Sequence, residues 1–277
     1  ARLQPVARAV RFQGRTLPDL ARLTIDEANE VVGSWTFAEE EAEGRAARRL
    51  AQAVASRLSY LQRVGLGYLS MDRSVNTLSG GELQRVRLAT VAASGFVGVC
   101  CVLDEPTSGL HPADASRLLE IARDLRDQGN TVLVVEHDPI FLRGADWILD
   151  LGPGPGPDGG RLVAQGPPAN LTPVGSDPIE SPTMILLNGT RRGEDAPGQP
   201  RRLDRSTGAI TIRHARARNL KDVEASFPLG CLTAVTGVSG SGKSTLVFEI
   251  LARAVKRHLR EASGQNNDAH ATEPPIE

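Results

Sequence analysis

No apolar run among these 277 residues reaches the roughly 18 that a membrane-spanning helix needs, and the first residues do not read as a signal peptide. Charge of one sign is missing too, because 32 Lys and Arg offset 33 Asp and Glu to leave a formal net charge of −1. No global field draws nucleic acid, so a DNA contact would need a local patch. Cysteine is scarce, with three in the chain. Cys100 and Cys101 are neighbours in an apolar run and point to opposite faces of a strand, so neither a CxxC zinc knuckle nor a disulfide framework is available. We read them as small core residues of a reducing cytoplasm. What is present is a globular composition, 40% hydrophobic and 23% charged, sized for one large or two small domains. The chain opens at Ala1 in mid-pattern, and we expect a segment of something longer.

The first 40 residues are punctuated by Pro5, Gly14 and Pro18, with a short strand expected at 9–12 before the turn at Gly14. From Glu39 to Arg63 the pattern turns helical. Leu50, Val54, Leu58 and Leu61 recur at helical spacing as the expected buried stripe, and Gly65 supplies a left-handed stop. Ser79-Gly80-Gly81-Glu82 reads in two ways. Ser and Glu three apart form a capping box, while the paired glycines leave N–H groups open to a phosphate at a helix N-terminus.

Residues 97–103 form a continuous apolar run, expected as a strand covered on both faces of a parallel sheet, and it ends in Asp104-Glu105-Pro106. Carboxylates at the carboxyl end of a parallel strand lie where open α/β sheets bind ligands. Pro112 suits the first turn of a helix with Leu118, Leu119, Ala122 and Leu125 as its buried stripe, and Gly129 ends it. The strand 132–135 then delivers Glu136-His137-Asp138, 33 positions after Asp104 for the histidine. Residues 146–153 read as a strand into a turn, 154–160 as a Pro/Gly loop and 161–166 as the return strand. From Pro167 to about Ser206 a linker is expected, partly disordered, with one ordered island at Met184–Leu187.

Strands at 210–212, 223–227 and 232–236 are expected beyond the linker. The last leads into Gly237-Val238-Ser239-Gly240-Ser241-Gly242-Lys243-Ser244 and a helix from Thr245 that fades by Arg260, before a polar tail from Gly264 expected to be disordered. This is a full GxxxxGKS phosphate loop in the strand-to-helix context that such a loop requires. Its backbone N–H groups, with Gly237, Ser239, Gly240, Ser241, Gly242 and Thr245 as candidate contacts, would cradle phosphates. Lys243 would reach the β and γ oxygens and Ser244 would ligate Mg²⁺. A basic cluster, Arg201, Arg202, Arg205, Arg213, Arg216, Arg218 and Lys221, lacks interleaved aromatics, and a solvated edge is its expected role.

These motifs resemble the signature (LSGGELQR), Walker B (VCCVLDEP), D-loop and switch-histidine parts of an ABC-type ATPase. The turn Gly109-Leu110-His111-Pro112 and the block ADWILDLGPGPGPDGG-RLVAQGPP are similar to the UvrA family of DNA-damage recognition ATPases. The resemblance implies an α/β fold of the P-loop ABC type, a mostly parallel sheet flanked by helices and split across two incomplete nucleotide-binding domains. It implies that Asp104 holds the Mg²⁺ shell, Glu105 polarises the attacking water and His137 meets the γ-phosphate, while Ser79, Gly80 and Gly81 contact nucleotide. ATP and Mg²⁺ are the implied cofactors; the family's zinc is expected in the whole protein, without ligands in this chain. Damaged duplex DNA, a UvrB-like partner and a second copy in a homodimer are the implied partners, with no membrane.

The motif order is unusual: signature, Walker B, histidine, linker, Walker A. It fits 1–172 as the end of a first nucleotide-binding domain, 173–208 as a linker and 209–277 as the start of a second. Two geometries follow. In one, Lys243 and Ser79 face each other across domains and each ATP site is incomplete, so the isolated chain hydrolyses poorly. In the other, strand 232–236 inserts into the sheet of strand 97–103 and brings Lys243 beside Asp104 and Glu105. Excision repair is the function implied; a UvrA-like drug-resistance or self-protection ATPase and a non-catalytic nucleotide-binding fragment are the alternatives.

Overall fold

Val132–Val135 and Leu232–Val235 are apolar or small at nearly every position, so each needs cover on both faces and a strand on each edge. The computed structural model, which describes residues 4–37, 42–108, 110–175, 181–189 and 208–262, gives them both. The sequence-expected second geometry is the one observed.

The chain forms two compact units, 1–96 with 107–124, and 97–106 with 125–277. The first holds helix α1 (Pro5–Ala9), hairpin strands β1 (Arg11–Phe12) and β2 (Arg15–Thr16), α2 (Leu17–Ala21), α3 (Ile25–Gly33), α4 (Ala42–Arg63) and α5 (Gly80–Ala92). Helix α3 starts at a Thr24–Glu27 capping box, and Gln62 of α4 bonds to both Asn29 and Asp26 on it. The face of α4 that is buried differs from the expected stripe. Leu58 is buried beside Ala51, whereas Leu50 is 69% exposed and Val54 42%. Packing on the short α3 covers a narrower face than the apolar periodicity offered.

The second unit is built on a six-stranded sheet in the order β3-β4-β10-β5-β6-β7. Its strands are β3 (Cys100–Asp104), β4 (Thr131–Val135), β5 (Trp147–Gly152), β6 (Arg161–Gly166), β7 (Thr172–Pro173) and β10 (Leu232–Gly237). β3, β4, β10 and β5 run parallel, and β6 and β7 return antiparallel. Helix α6 (Pro112–Asp127) connects β3 to β4 in sequence, and the short α7 (Pro139–Gly144), capped by Asp138, connects β4 to β5. One face of the sheet is covered by the hairpin β8 (Ala209–Ala215) with β9 (Val223–Pro228), whose Val223 and Phe227 join Val135, Leu149 and Val235 in the core. Leu246, Val247 and Ile250 complete it from a π-helical segment, Thr245–Leu251, that runs on into helix α9 (Ala252–Ala262).

Two expectations change here. β3 is the sheet's edge strand, so residues expected to be buried on both faces are half-exposed, and Cys100 is exposed rather than a core residue; Cys231 is buried. The expected linker from Pro167 is ordered through β7 (Thr172–Pro173), and its expected island at Met184–Leu187 is present as a helix, α8 (Pro182–Gly189), while 176–180, 190–207 and the tail from 263 lie outside the described residues. Of the basic cluster, Arg216 pairs with Asp222 and Arg218 with Glu249, while Arg201, Arg202 and Arg205 lie outside the described residues. No helix among the described residues is long and apolar enough to cross a membrane.

β10 is anchored at its start by a buried charge. Arg126 donates to both oxygens of Asp146 at 2.8 and 2.9 Å, and Asp146 Oδ2 accepts the Leu232 N–H at 2.7 Å. The Gly230 N–H donates to Thr131 Oγ1. Removing Asp146 leaves the buried Leu232 N–H without this acceptor and Arg126 with Asp127 as its ion-pair partner. Asp146→Ala is therefore expected to lower stability by about 1–3 kcal/mol, read as a fall in the urea midpoint by circular dichroism; an unchanged midpoint would show that β10 is held without this clamp.

Candidate functional site

A parallel sheet aligns its carboxyl ends, and insertion of β10 puts three functional segments on that one edge. Asp104 and Glu105 end β3, His137 follows β4, and the loop 237–244 follows β10. β10 pairs with β4 directly and β4 with β3. Asp104, Glu105, His137 and the phosphate loop therefore belong to one compact unit, whereas Ser79, Gly80 and Gly81 belong to the other.

The phosphate loop turns on glycines where no other residue fits. Gly237 has φ +130°, and a Cβ there would lie 1.9 Å from the Leu151 carbonyl oxygen; Gly242 has φ +105°, and a Cβ there would lie 2.7 Å from Leu220 Cδ2. Lys243 is buried, its ammonium donating to the Gly237 and Val238 carbonyls at 2.9 and 3.0 Å. Burial pushes its pKa down, and the nearby charges of Glu105, Asp104 and Asp150 push back. Asp104 is raised, first by burial and then by the neighbouring Glu105, with Lys243 opposing. Lys243 and Asp104 thus each favour the other's charged form.

Glu105 holds a left-handed backbone, φ +42°, with its N–H donating to the Val135 carbonyl. A non-glycine residue there costs on the order of 1 kcal/mol or more, and such strain gathers at functional positions. Glu136, fully buried, accepts the N–H groups of His137 and Asp138 and so shapes the turn that presents the 71% exposed imidazole. His137, Asp150, Gly237 and Val238 share the wall of a cavity of about 330 Å³. Asp150 is buried, its carboxyl raised by desolvation and bonded by Ser181. Neither Glu136 nor Asp150 was singled out from the sequence, although a carboxyl inside an otherwise apolar strand was a readable signal.

The signature segment adopts its capping-box reading. Ser79 Oγ accepts the Glu82 N–H, and Glu82 accepts the Ser79 N–H at 2.7 Å. Tyr68 donates to the other Glu82 oxygen, and this bond, then the Ser79 N–H, holds the carboxyl down to about 2. Gly80 is exposed and faces open space at the N-terminus of α5, while Gly81 is half-buried with the Ser108 carbonyl nearby.

A metal would find a carboxylate at Asp104 and a hydroxyl at Ser244 on this edge; among the described residues no three His, Cys, Asp or Glu side chains converge on one ion. The donor set suits a cation completed by phosphate oxygens and water, as Mg²⁺ is, rather than one in an all-protein cage.

No family model matches the chain. It is 45% identical over 94% of its length to UvrABC system protein A of Streptomyces coelicolor, of which it spans 25%, and 43% identical over 92% to that of Thermus thermophilus, of which it spans 26%. Among solved structures it is similar to UvrA2 of Deinococcus radiodurans, at 40% identity and TM-score 0.59, over 93% of this chain and 32% of that one. The chain thus spans about a quarter of the length of the curated relatives it matches.

The low carboxyl pKa has a direction in pH. Glu82 binds its proton less readily folded than unfolded, so its cap stabilises the fold above the ordinary value of 4.5, and that stability is lost as pH falls toward about 2. Glu82→Gln keeps the acceptor oxygen but does not titrate. Between pH 4.5 and 2 the melting midpoint of the wild type is expected to fall further than that of the variant; parallel falls would remove Glu82 from the acid response.

Proposed function

We propose that this UvrA-like segment binds ATP on the carboxyl edge of its mixed sheet and contributes to ATP-driven DNA-damage recognition in nucleotide excision repair. The observation that carries the reading is the place of β10 between β4 and β5, which joins the Lys243 loop to the Asp104–Glu105 and His137 strand ends. The N–H groups of 237–244 cradle the phosphates, and Lys243, now folded back on two carbonyls of its own loop, swings to the β and γ oxygens. Ser244 and Asp104 are the residues that would hold Mg²⁺, which when bound offsets charge on the transferring phosphoryl. Glu105 accepts a proton from the attacking water, and His137, on the cavity rim, donates a hydrogen bond to the γ-phosphate. Burial disfavours the charge on Lys243, and the three nearby carboxylates favour it.

Ser79, Gly80 and Gly81 take the second role of an ABC machine: their helix N-terminus closes on a nucleotide held by another phosphate loop, in a second copy or elsewhere in the whole protein. The division 1–172, 173–208 and 209–277 then describes the lineage of each part, and the shared sheet describes how they associate here. In this reading the whole protein is a cytoplasmic homodimer that meets damaged duplex DNA and a UvrB-like partner and carries zinc outside this chain.

ATP titration with single-turnover hydrolysis tests the proposal. The chain binds ATP, and Lys243→Ala weakens binding by more than about tenfold. Glu105→Gln leaves binding intact and slows phosphate release by about 10²–10⁴. Turnover by the wild-type chain stays far below that of a full-length relative, because the signature acts in trans. Equal binding by wild type and Lys243→Ala would instead favour a non-catalytic fragment.

A further inference from the structure

Three segments far apart in sequence meet at the back of the phosphate loop. Gly240 O accepts the Gly156 N–H at 3.0 Å and the Asn219 side-chain amide at 2.9 Å. Ser241 O accepts the Gly160 N–H at 3.0 Å. The same Asn219 amide reaches Gly156 O at 3.3 Å, so one NH₂ group ties the two loops together. The contact is close enough to require glycine: a Cβ on Gly160 would stand 1.7 Å from Asn219 O, and one on Gly159 3.1 Å from Ser241 Cα. On the outer side, Lys221 N donates to Gly160 O, and Lys221 Nζ donates to Pro157 O.

These bonds fix directions as well as distances. In a trans peptide the carbonyl and the following N–H point opposite ways. Anchoring Ser241 O to the 154–160 loop therefore turns the Gly242 N–H away from it, toward the side where a phosphate is cradled. Anchoring Gly240 O sets the next plane, whose Ser241 N–H closes the turn onto Val238 O at 3.1 Å. A flexible glycine-rich loop loses entropy when it grips an anion, and a loop already held from behind loses less.

We propose that the Pro/Gly loop 154–160 and Asn219 form a brace that preorganises the phosphate cradle, with Asn219 as a positioning residue for the nucleotide's phosphates. This rests on the nucleotide reading of 237–244. The brace acts on phosphate and not on the base, so its loss weakens ATP and inorganic pyrophosphate by a common factor and leaves adenosine unchanged.

The test is calorimetric titration of the 277-residue chain and two variants with Mg·ATP and pyrophosphate, adenosine by competition, and the nucleotide-free melting midpoint. Asn219→Ala is expected to weaken ATP and pyrophosphate about tenfold, the scale of one net hydrogen bond and lost preorganisation, with adenosine affinity and midpoint within error. Lys221→Met touches only the outer side and is expected to give the same pattern at about threefold; if Asn219→Ala does not fold, this variant decides. Equal ATP and pyrophosphate affinities in wild type and both variants would overturn the brace while leaving nucleotide binding standing. An equal loss for adenosine, or a loss that tracks a fallen midpoint, would overturn it as well. A wild type that binds neither phosphate ligand would bring down both readings.

Discussion

The strand Leu232–Gly237 is held on both edges, by β4 on one side and β5 on the other, and the functional edge of the molecule depends on that placement. Its residues are buried along nearly the whole length, so water cannot substitute for either neighbour. The clamp of Arg126, Asp146 and Leu232 sets the entry point, and the pairing with β5 continues to Gly237, where the phosphate loop begins. A one-residue slip would move the loop by over 3 Å and reverse the faces of its side chains. Register here is therefore a condition of chemistry as much as of stability.

The site rests on backbone as heavily as on side chains. Glycines at 237, 242 and 160 stand where a Cβ would meet another chain segment, and Glu105 accepts a left-handed conformation to leave the sheet edge. Charge is arranged with similar economy. A buried lysine faces carboxylates from β3 and β5, and its pKa is lowered by burial against their opposing pull. On the proposed reading, an anion of high charge entering this edge meets a buried cation and a set of oriented N–H groups, a form of electrostatic preorganisation.

The local elements were legible because each is dictated by neighbours in sequence. The Ser79–Glu82 capping box, the helix after Pro112, the strand 131–135, the hairpin return at 161–166 and the glycine loop before Lys243 all occur where their residue types require. The missed features depend on distant partners. Leu50 and Val54 belong to the apolar periodicity of α4, yet the face that packs is set by α3 and centres on Ala51 and Leu58. Cys100 sits in an apolar run, but its strand is the edge of the sheet, and so it is exposed. Asn219 carries no motif at all; its role comes from two loops that fold together from either side of it.

The sequence by itself determined the vocabulary: a phosphate loop, a strand ending in two carboxylates, a histidine after the next strand and a capped glycine pair. Each is a short-range pattern, and the roles of the carboxylates, the histidine and the glycine pair are what the family resemblance implies. Which of them share a site was left open, because the motif order allowed Lys243 either to face Ser79 or to join Asp104 and Glu105. In the tertiary structure the Lys243 loop and the Asp104–Glu105 strand end lie on one edge of one sheet. The reason is long-range: β10 is buried along nearly its whole length, and its backbone groups pair with β4 on one side and β5 on the other, partners distant in sequence.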